Sequence, residues 1–164
     1  MIGKTHLYTG ILAGASLAWA LDCSLIPSAL TVTAGAIGGV LPDLDHRKSK
    51  VTQKFGIFGF FSSRLFRHRG LLHTPVFYLI VSLLLSICAG QSTLIQLTIF
   101  GLLAGELSHL LLDAMTPKGI PLLSPFYRRH ISLLPIQTDG VIDHCIGRFS
   151  LIAAAFLLIY MFIF

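Results

Sequence analysis

Apolar residues form five long runs that are separated by short polar stretches. The runs are roughly Leu7–Leu21, Leu25–Leu41, Val76–Ala89, Leu94–Met115 and Leu151–Phe164. A helix needs about 20 apolar residues to cross a bilayer, and only the fourth run clearly exceeds that length. The pattern predicts an all-α protein with about five apolar helices, in which the first, third and fifth runs are also compatible with re-entrant or partly buried segments.

Composition indicates that these runs belong to a membrane protein. Of the 164 residues, 54% are hydrophobic and 12% are charged, and the mean hydropathy is +0.81. An ordinary soluble domain has about 25% charged residues. The chain has no internal repeat, low-complexity tract or Ser/Gly linker, so we expect residues 1–164 to form a single integral membrane domain. This domain would be a compact helical bundle whose main partner is the lipid bilayer.

Positive charge is distributed asymmetrically along the chain. If the runs are alternating crossings, all 12 Lys and Arg residues fall on one side, and the opposite loops Asp22–Ser24 and Gly90–Thr93 contain none. The positive-inside rule then predicts a multi-pass protein with a cytoplasmic N-terminus and a C-terminus on the other side. Because this topology explains the net charge of +5, no nucleic-acid partner is expected.

A cleaved signal peptide is an alternative interpretation of the first run. Lys4 precedes the run, and "AWA" at 18–20 resembles a cleavage site between small residues. However, Gly10 and Gly14 suit a closely packed helix better than a signal sequence. Cleavage would also remove His6, a candidate ligand, so a retained first helix is the preferred interpretation.

Ionisable residues concentrate at the predicted cytoplasmic end, where all seven histidines lie. The fourth run contains "GELSHLLLDAMTP", and at 100° per residue Glu106, His109 and Asp113 fall within an arc of roughly 60°. Burying such groups in hydrocarbon is costly, which makes an intramembrane ionisable residue a functional candidate. The alternative for His109 and Asp113 is a hydrogen bond that ties two helices together.

Two other stretches place His and Asp residues at the same predicted cytoplasmic end of the bundle. "VLPDLDH" ends the second run and places Asp43 and Asp45 at a helix C-terminus, where the helix dipole disfavours carboxylates. The "TP" at 74–75 predicts an N-cap followed by the first helical residue, so His73 lies just outside the third helix and His68 lies close by. Asp43 and Asp45 are equally compatible with a solvated turn.

Together these residues predict a metal site at the cytoplasmic end of the bundle. The candidate metal ligands are His6, Asp45, His68, His73, His109 and Asp113. Mixed His and Asp ligands without cysteine suit zinc, with manganese as the alternative, and leave positions open for water. Arg67 and Arg69 would hold an anionic group such as a phosphate, although flanking positive charge explains them equally well.

The order of four motifs resembles that of a known family. The motifs are "GKTHLYTG", "LPDLDH", "HRGLLHT" and "SHLLLDAMTPKGIPLLSP". Their order is similar to that of the inner-membrane-associated metal-dependent hydrolases of the YdjM type, also called a domain of unknown function. The resemblance covers most of the chain and implies a bacterial inner-membrane protein with a metal site. The matching positions are His6, Asp43, Asp45, His68, Arg69, His73, His109 and Asp113. The positions outside the pattern, which rank lower, are Glu106, His130, Asp139, Asp143 and His144.

A weaker similarity is to the zinc phospholipase C and P1 nuclease group. These are all-helical phosphoesterases whose ligands also run His, Asp, His and then His-x3-Asp. The corresponding order in this chain is His6, Asp45, His68 or His73, His109 and Asp113. The second helical His-x3-Glu of that group is absent from this sequence, so one or two metals are expected instead of three.

The favoured hypothesis is a membrane-bound hydrolase of a phosphoester or other ester in a lipid-like substrate. Metal-bound hydroxide would attack, Asp43 would act as general base or bridging ligand, and Arg69 would stabilise the developing negative charge. A metal-ion transporter or sensor is a first alternative, but four of the five runs have no ionisable side chain near their middle. The second alternative is a structural membrane protein in which the polar residues only pin helices together.

Overall fold

The computed structural model describes residues 1–45, 73–124, 126–127 and 129–163, apart from the side chains of Leu44 and Asp45. Within these residues the chain forms five α-helices: α1 (Gly3–Ala20), α2 (Leu25–Gly38), α3 (Pro75–Ala89), α4 (Thr93–Ala114) and α5 (Val141–Ile163). A short 3₁₀ helix, Leu41–Asp45, follows α2. The same residues contain one isolated β-bridge and no strand, so the predicted all-α bundle is confirmed.

Three of the described helical segments are long and apolar enough to cross a membrane. They are Leu25–Asp43, which joins α2 to the 3₁₀ helix, Thr93–Ala114 and Val141–Ile163. α3 is apolar but has 15 residues, and α1 has 18 residues but includes Lys4, His6 and several glycines and hydroxylated residues. The expectation of about five apolar helices is therefore somewhat too high for the described part of the chain.

α5 begins at Val141, well before the apolar run at Leu151. Its first turns contain Asp143, His144 and Arg148, which are polar and therefore lie outside the predicted apolar run. The helix has 23 residues, which is enough to span a bilayer. The fifth run is therefore the apolar part of a longer helix.

Glycines bring α1, α2 and α4 into direct backbone contact. Gly35 of α2 faces Gly10 of α1 on one side and Gly105 of α4 on the other. A methyl group added at any of these three positions would overlap backbone atoms of the neighbouring helix. Such contacts between small residues allow helices to associate in lipid, where burial of apolar area provides little driving force. The three helices consequently meet at the end of the bundle that contains His6 and His109.

The start of α5 packs against the start of α1 and is hydrogen-bonded to it. A methyl group added at Gly147 would lie 3.0 Å from Thr5 Oγ1, and the Thr5 hydroxyl donates to the Asp143 carbonyl oxygen at 3.2 Å. The Asp143 side chain is fully buried, and its Oδ2 accepts hydrogen bonds from the backbone N–H groups of Ile2 at 3.0 Å and Asp139 at 2.9 Å. This carboxylate therefore holds the backbone at the beginning of α1.

The connection between α4 and α5 folds back over the C-terminal end of α4. Ile120 and Ile131 form the isolated β-bridge, with N···O distances of 3.2 and 2.9 Å. The N–H of Leu133 donates to the Ala114 carbonyl oxygen at 2.7 Å, which satisfies a backbone group that a helix end leaves open. Ile120 is buried against Tyr78 and Ala114, so this connection closes the bundle at its polar end.

Polar side chains lie inside the bundle, and many large apolar side chains lie outside. Thr5, Thr31 and Glu106 are buried, whereas Phe149 and Phe156 are 70% and 71% exposed. In water this arrangement would expose large apolar patches, but in lipid an apolar surface is the expected one.

Candidate metal centre

The Asp113 carboxylate lies at the centre of a buried histidine cluster. His6 Nε2 is 3.3 Å from Asp113 Oδ1, and His73 Nε2 and His109 Nε2 are 3.6 and 4.0 Å from Asp113 Oδ2. His6 and His109 stack with ring centroids 3.8 Å apart, while His73 meets His109 edge to face at 5.5 Å. All three rings and the carboxylate are buried. We call His6, His73, His109 and Asp113 the His/Asp cluster.

Three separate elements supply this cluster. His109 and Asp113 are one turn apart on α4, so both project from the same face of that helix. His6 lies in the first turns of α1, and His73 precedes α3, which begins with Thr74 as N-cap and Pro75 as first residue. The backbone contact through Gly35 keeps α1 and α4 close enough for their histidines to stack.

The orientation of His109 is fixed by the end of α2. Its Nδ1 lies 2.8 Å from the Gly39 carbonyl oxygen, which can only accept, so Nδ1 carries the hydrogen. Nε2 is then unprotonated in the neutral ring and points towards the carboxylates. This nitrogen is buried and has no hydrogen-bond partner among the described residues. A backbone carbonyl that orients a histidine in this way is a common outer-shell partner of a metal ligand.

The residues of the cluster fit a divalent cation. His6, His109 and Asp113 each offer one ligand atom, and these atoms lie within 4.8 Å of one another. Two ligand atoms that are each about 2.0–2.1 Å from one tetrahedral zinc are separated by roughly 3.3 Å. The distance between His6 Nε2 and Asp113 Oδ1 is 3.3 Å. A buried, unprotonated His109 Nε2 beside a carboxylate is also the donor chemistry that such an ion requires. His6, His109 and Asp113 are thus a group that can hold a metal ion.

Asp43 lies at the edge of the cluster. It is part of the 3₁₀ helix after α2, and its Oδ1 is 4.0 Å from His109 Nε2. The Asp43 side chain is 23% exposed, whereas that of Asp113 is 6% exposed. Of Asp43 and Asp113, Asp43 is therefore the residue whose carboxylate has access to water.

The N-terminal backbone also contacts the cluster. The Met1 amino nitrogen lies 2.9 Å from Asp113 Oδ1, the oxygen that also faces His6. The next residue, Ile2, is held by Asp143. Asp143 consequently stabilises the backbone that leads to His6, although it is not itself part of the cluster.

The structure brings five of the predicted site residues together: His6, Asp43, His73, His109 and Asp113. The Asp45 side chain, His68 and Arg69 lie outside the described residues. Their predicted roles stay predictions.

Among the residues that ranked lower, Asp143 has a larger structural role than its sequence context suggests. It is fully buried and accepts two backbone hydrogen bonds. His144 Nε2 lies 3.0 Å from Asp139 Oδ1, with the Asp139 and His144 side chains 74% and 46% exposed, and His130 is also exposed. Glu106 is buried on α4 but is outside the group of close ligand atoms in the described part of the chain. Asp143 could have been noticed as an acidic residue in the first turn of a helix, but only the long α5 reveals that position.

Comparison with known proteins places the chain among bacterial membrane proteins. It is 35% identical over 125 residues to the uncharacterized protein YvsG of Bacillus subtilis (strain 168), a match that covers 76% of this chain and 74% of that protein. It is also 35% identical over 125 residues to the inner membrane protein YdjM of Escherichia coli (strain K12), covering 74% of this chain and 60% of that protein, which is less than two thirds of its length. No solved structure is significantly similar.

A family model described as YdjM inner membrane protein matches residues 1–164. The described helices agree with that description, since three segments have the length and composition of membrane spans. The chain therefore belongs to the YdjM inner membrane protein family.

Proposed function

We propose that this protein is a membrane-bound, metal-dependent hydrolase of a phosphoester or other ester in a lipid-like substrate. The observation that carries the proposal is the buried His/Asp cluster, in which three histidine Nε2 atoms lie within 4.0 Å of one carboxylate. Such a concentration of ionisable groups inside an apolar bundle is costly, and a bound cation is a sufficient reason for it.

The proposed metal is zinc, with manganese as the second choice, because the ligands are imidazole and carboxylate. His6, His109 and Asp113 would hold it, with His73 beside them and Asp45 and His68 as further ligands predicted from the sequence. When bound, the cation would supply Lewis acidity and lower the pKa of a coordinated water.

The residues around the cluster have distinct proposed roles. Asp43 lies near His109 Nε2 and is partly exposed, so it can accept a proton from the attacking water. The Gly39 carbonyl oxygen keeps the His109 ring in the tautomer that presents an unprotonated Nε2. Arg69, predicted from the sequence, would offset the negative charge that develops on the substrate.

The cluster is proposed to face the cytoplasm, with the protein in the bacterial inner membrane and its N-terminus on the cytoplasmic side. The distribution of all 12 Lys and Arg residues on one side of the predicted crossings supports this orientation.

The decisive experiment is elemental analysis of the detergent-purified protein beside two matched double variants. His109→Ala/Asp113→Asn changes the cluster, while His144→Ala/Asp139→Asn changes an exposed His and Asp that also contact each other. We expect near-stoichiometric zinc or manganese in the wild type and in the exposed-pair variant, and none in the cluster variant. Hydrolysis of an aryl phosphodiester should follow the metal content.

Absence of metal from the folded, reconstituted wild type would overturn the hydrolase proposal. The structural alternative would then be favoured, because the contacts of Asp113 with His6 and His73 also tie α1 and α3 to α4. A transporter is less compatible with the cluster, since Asp113 is the penultimate residue of α4 and lies far from the middle of the span.

A further inference from the structure

A groove separate from the His/Asp cluster lies between the first turns of α1 and α5. Its volume is about 330 Å³, and its lining includes Ile2, Lys4, Tyr8, His144, Arg148 and Leu151. The lining residues of each helix are about one turn apart, so each helix contributes one continuous face. We call this feature the α1/α5 groove.

The close contact between the two helices brings two cations to the same groove. Thr5 packs against Gly147, where a side chain would meet Thr5 Oγ1 at 3.0 Å. Lys4 immediately precedes Thr5, and Arg148 immediately follows Gly147. Both basic residues are exposed and line the groove, and neither forms an ion pair with another described residue.

The described acidic residues nearby do not form ion pairs with these cations. Within the described part of the chain, no acidic residue is part of the groove lining. Asp143 is fully buried and its Oδ2 is bonded to the backbone of Ile2 and Asp139. Asp139 contacts His144 at 3.0 Å. The described residues that line the groove therefore combine the positive charge of Lys4 and Arg148 with hydrogen-bonding groups on Tyr8 and His144.

The groove continues onto an apolar helix surface. Leu151 lies about one turn beyond Arg148, and the neighbouring Phe149 and Ile152 are 70% and 68% exposed. Because the groove is at the end of Val141–Ile163, a segment long and apolar enough to span a membrane, we expect its charged part at the level of lipid headgroups and its apolar part at the level of acyl chains. Basic pockets between transmembrane helices at this depth suit anionic lipids.

We propose that the α1/α5 groove binds the headgroup of an anionic phospholipid. Lys4 and Arg148 contact the phosphodiester, Tyr8 and His144 provide hydrogen bonds to the glycerol oxygens, and the acyl chains lie along Leu151 and the exposed face of α5. The recognised chemistry is a phosphate carrying net negative charge and attached to an apolar chain. The site uses no residue of the His/Asp cluster, so it holds whether or not the protein is a hydrolase.

The test is native mass spectrometry of the full chain in detergent, titrated separately with phosphatidylglycerol, phosphatidylcholine and inorganic phosphate. We expect phosphatidylglycerol to bind about 30-fold more tightly than phosphatidylcholine, since each basic residue near an anionic lipid contributes roughly a fivefold factor. Inorganic phosphate should bind far more weakly, because it lacks the apolar contact. Equal binding of free phosphate and phosphatidylglycerol would overturn the lipid assignment.

Three variants identify the groove as the site. Lys4→Gln/Arg148→Gln should abolish the preference for phosphatidylglycerol, and Lys4→Arg/Arg148→Lys should retain it because the charge is kept. Lys118→Gln/Arg129→Gln removes the same charge from the exposed connection and should leave the preference unchanged. A preference that survives in the first variant, or that falls equally in the third, would contradict the proposal. Metal content should be the same in all three, which separates this test from that of the hydrolase proposal.

Discussion

At the scale of single residues, two carboxylates near His109 have different surroundings and hence different expected roles. Asp113 is buried and contacts His6 and His73, while Asp43 is partly exposed and its Oδ1 lies 4.0 Å from His109 Nε2. A ligand should be held on several sides, whereas a proton acceptor needs access to water. The two positions are therefore separable by mutation.

Asp43→Asn is expected to retain the metal but to lower hydrolysis by about 10²- to 10⁴-fold, the range attributed to general base catalysis. Asp113→Asn should remove both metal and activity. The measurement is metal content by elemental analysis together with turnover of an aryl phosphodiester. If Asp43→Asn also loses the metal, Asp43 is a ligand and not the proton acceptor.

Asp143 is expected to stabilise the N-terminal backbone on which His6 depends. Asp143→Ala leaves the N–H groups of Ile2 and Asp139 without their acceptor, and loss of each of these partly buried hydrogen bonds should cost about 0.5–1.5 kcal/mol. The melting temperature in detergent should fall, and metal binding should weaken. Asp143→Asn keeps one acceptor oxygen and should lie between the wild type and Asp143→Ala. Equal melting temperatures for all three proteins would show that these bonds contribute nothing.

At the scale of the helices, glycine determines how closely α1, α2 and α4 approach. Gly35 contacts both Gly10 and Gly105, and the same approach brings the Gly39 carbonyl oxygen to 2.8 Å from His109 Nδ1. Packing of the glycines and orientation of the histidine are therefore consequences of one helix arrangement.

Gly105→Ala should separate α2 from α4, because the added methyl group would overlap the Gly35 carbonyl oxygen. Overpacking of this kind costs roughly 1–3 kcal/mol, and the thermal stability and metal content should both decrease. Gly3→Ala is the matched control, since no atom of the described residues lies within 4 Å of its added methyl group and alanine favours a helix. A stable, metal-loaded Gly105→Ala protein would contradict the proposed link between packing and the cluster.

At the scale of the whole molecule, three cysteines report on the orientation in the membrane. Cys23 and Cys88 lie near the ends of α2 and α3 that are predicted to face outwards, and Cys145 lies near the opposite end, at the start of α5. A membrane-impermeant maleimide should label Cys88 in spheroplasts and Cys145 only in inverted vesicles. The reverse pattern would place the N-terminus outside.

Labelling of Cys23 should be slower than that of Cys88 and should increase with pH. Burial and, to a lesser extent, the neighbouring Asp22 raise the pKa of the Cys23 thiol. A raised pKa leaves less of the reactive thiolate at neutral pH, and this fraction grows as the pH approaches the pKa. Comparing labelling rates of single-cysteine variants at neutral and alkaline pH tests this expectation, and a pH-independent Cys23 rate would contradict it.

The amino-acid sequence by itself determined the helical fold class, the membrane environment and most of the candidate residues. Apolar runs identify helices because lipid requires every backbone group to be satisfied within a segment. The one-turn spacing of His109 and Asp113 is likewise a local property of a helix. The polar first turns of α5 were missed because apolar patterning does not register residues such as Asp143 and Arg148.

Only the tertiary structure decided which residues meet. The stacking of His6 on His109, the role of the Gly39 carbonyl oxygen and the anchoring by Asp143 each join elements that are distant along the chain. These contacts depend on how closely helices approach and how they rotate about their axes, and both are set by glycine packing between neighbours. Local periodicity places a side chain on a face of its helix, but the facing partner exists only in the assembled bundle.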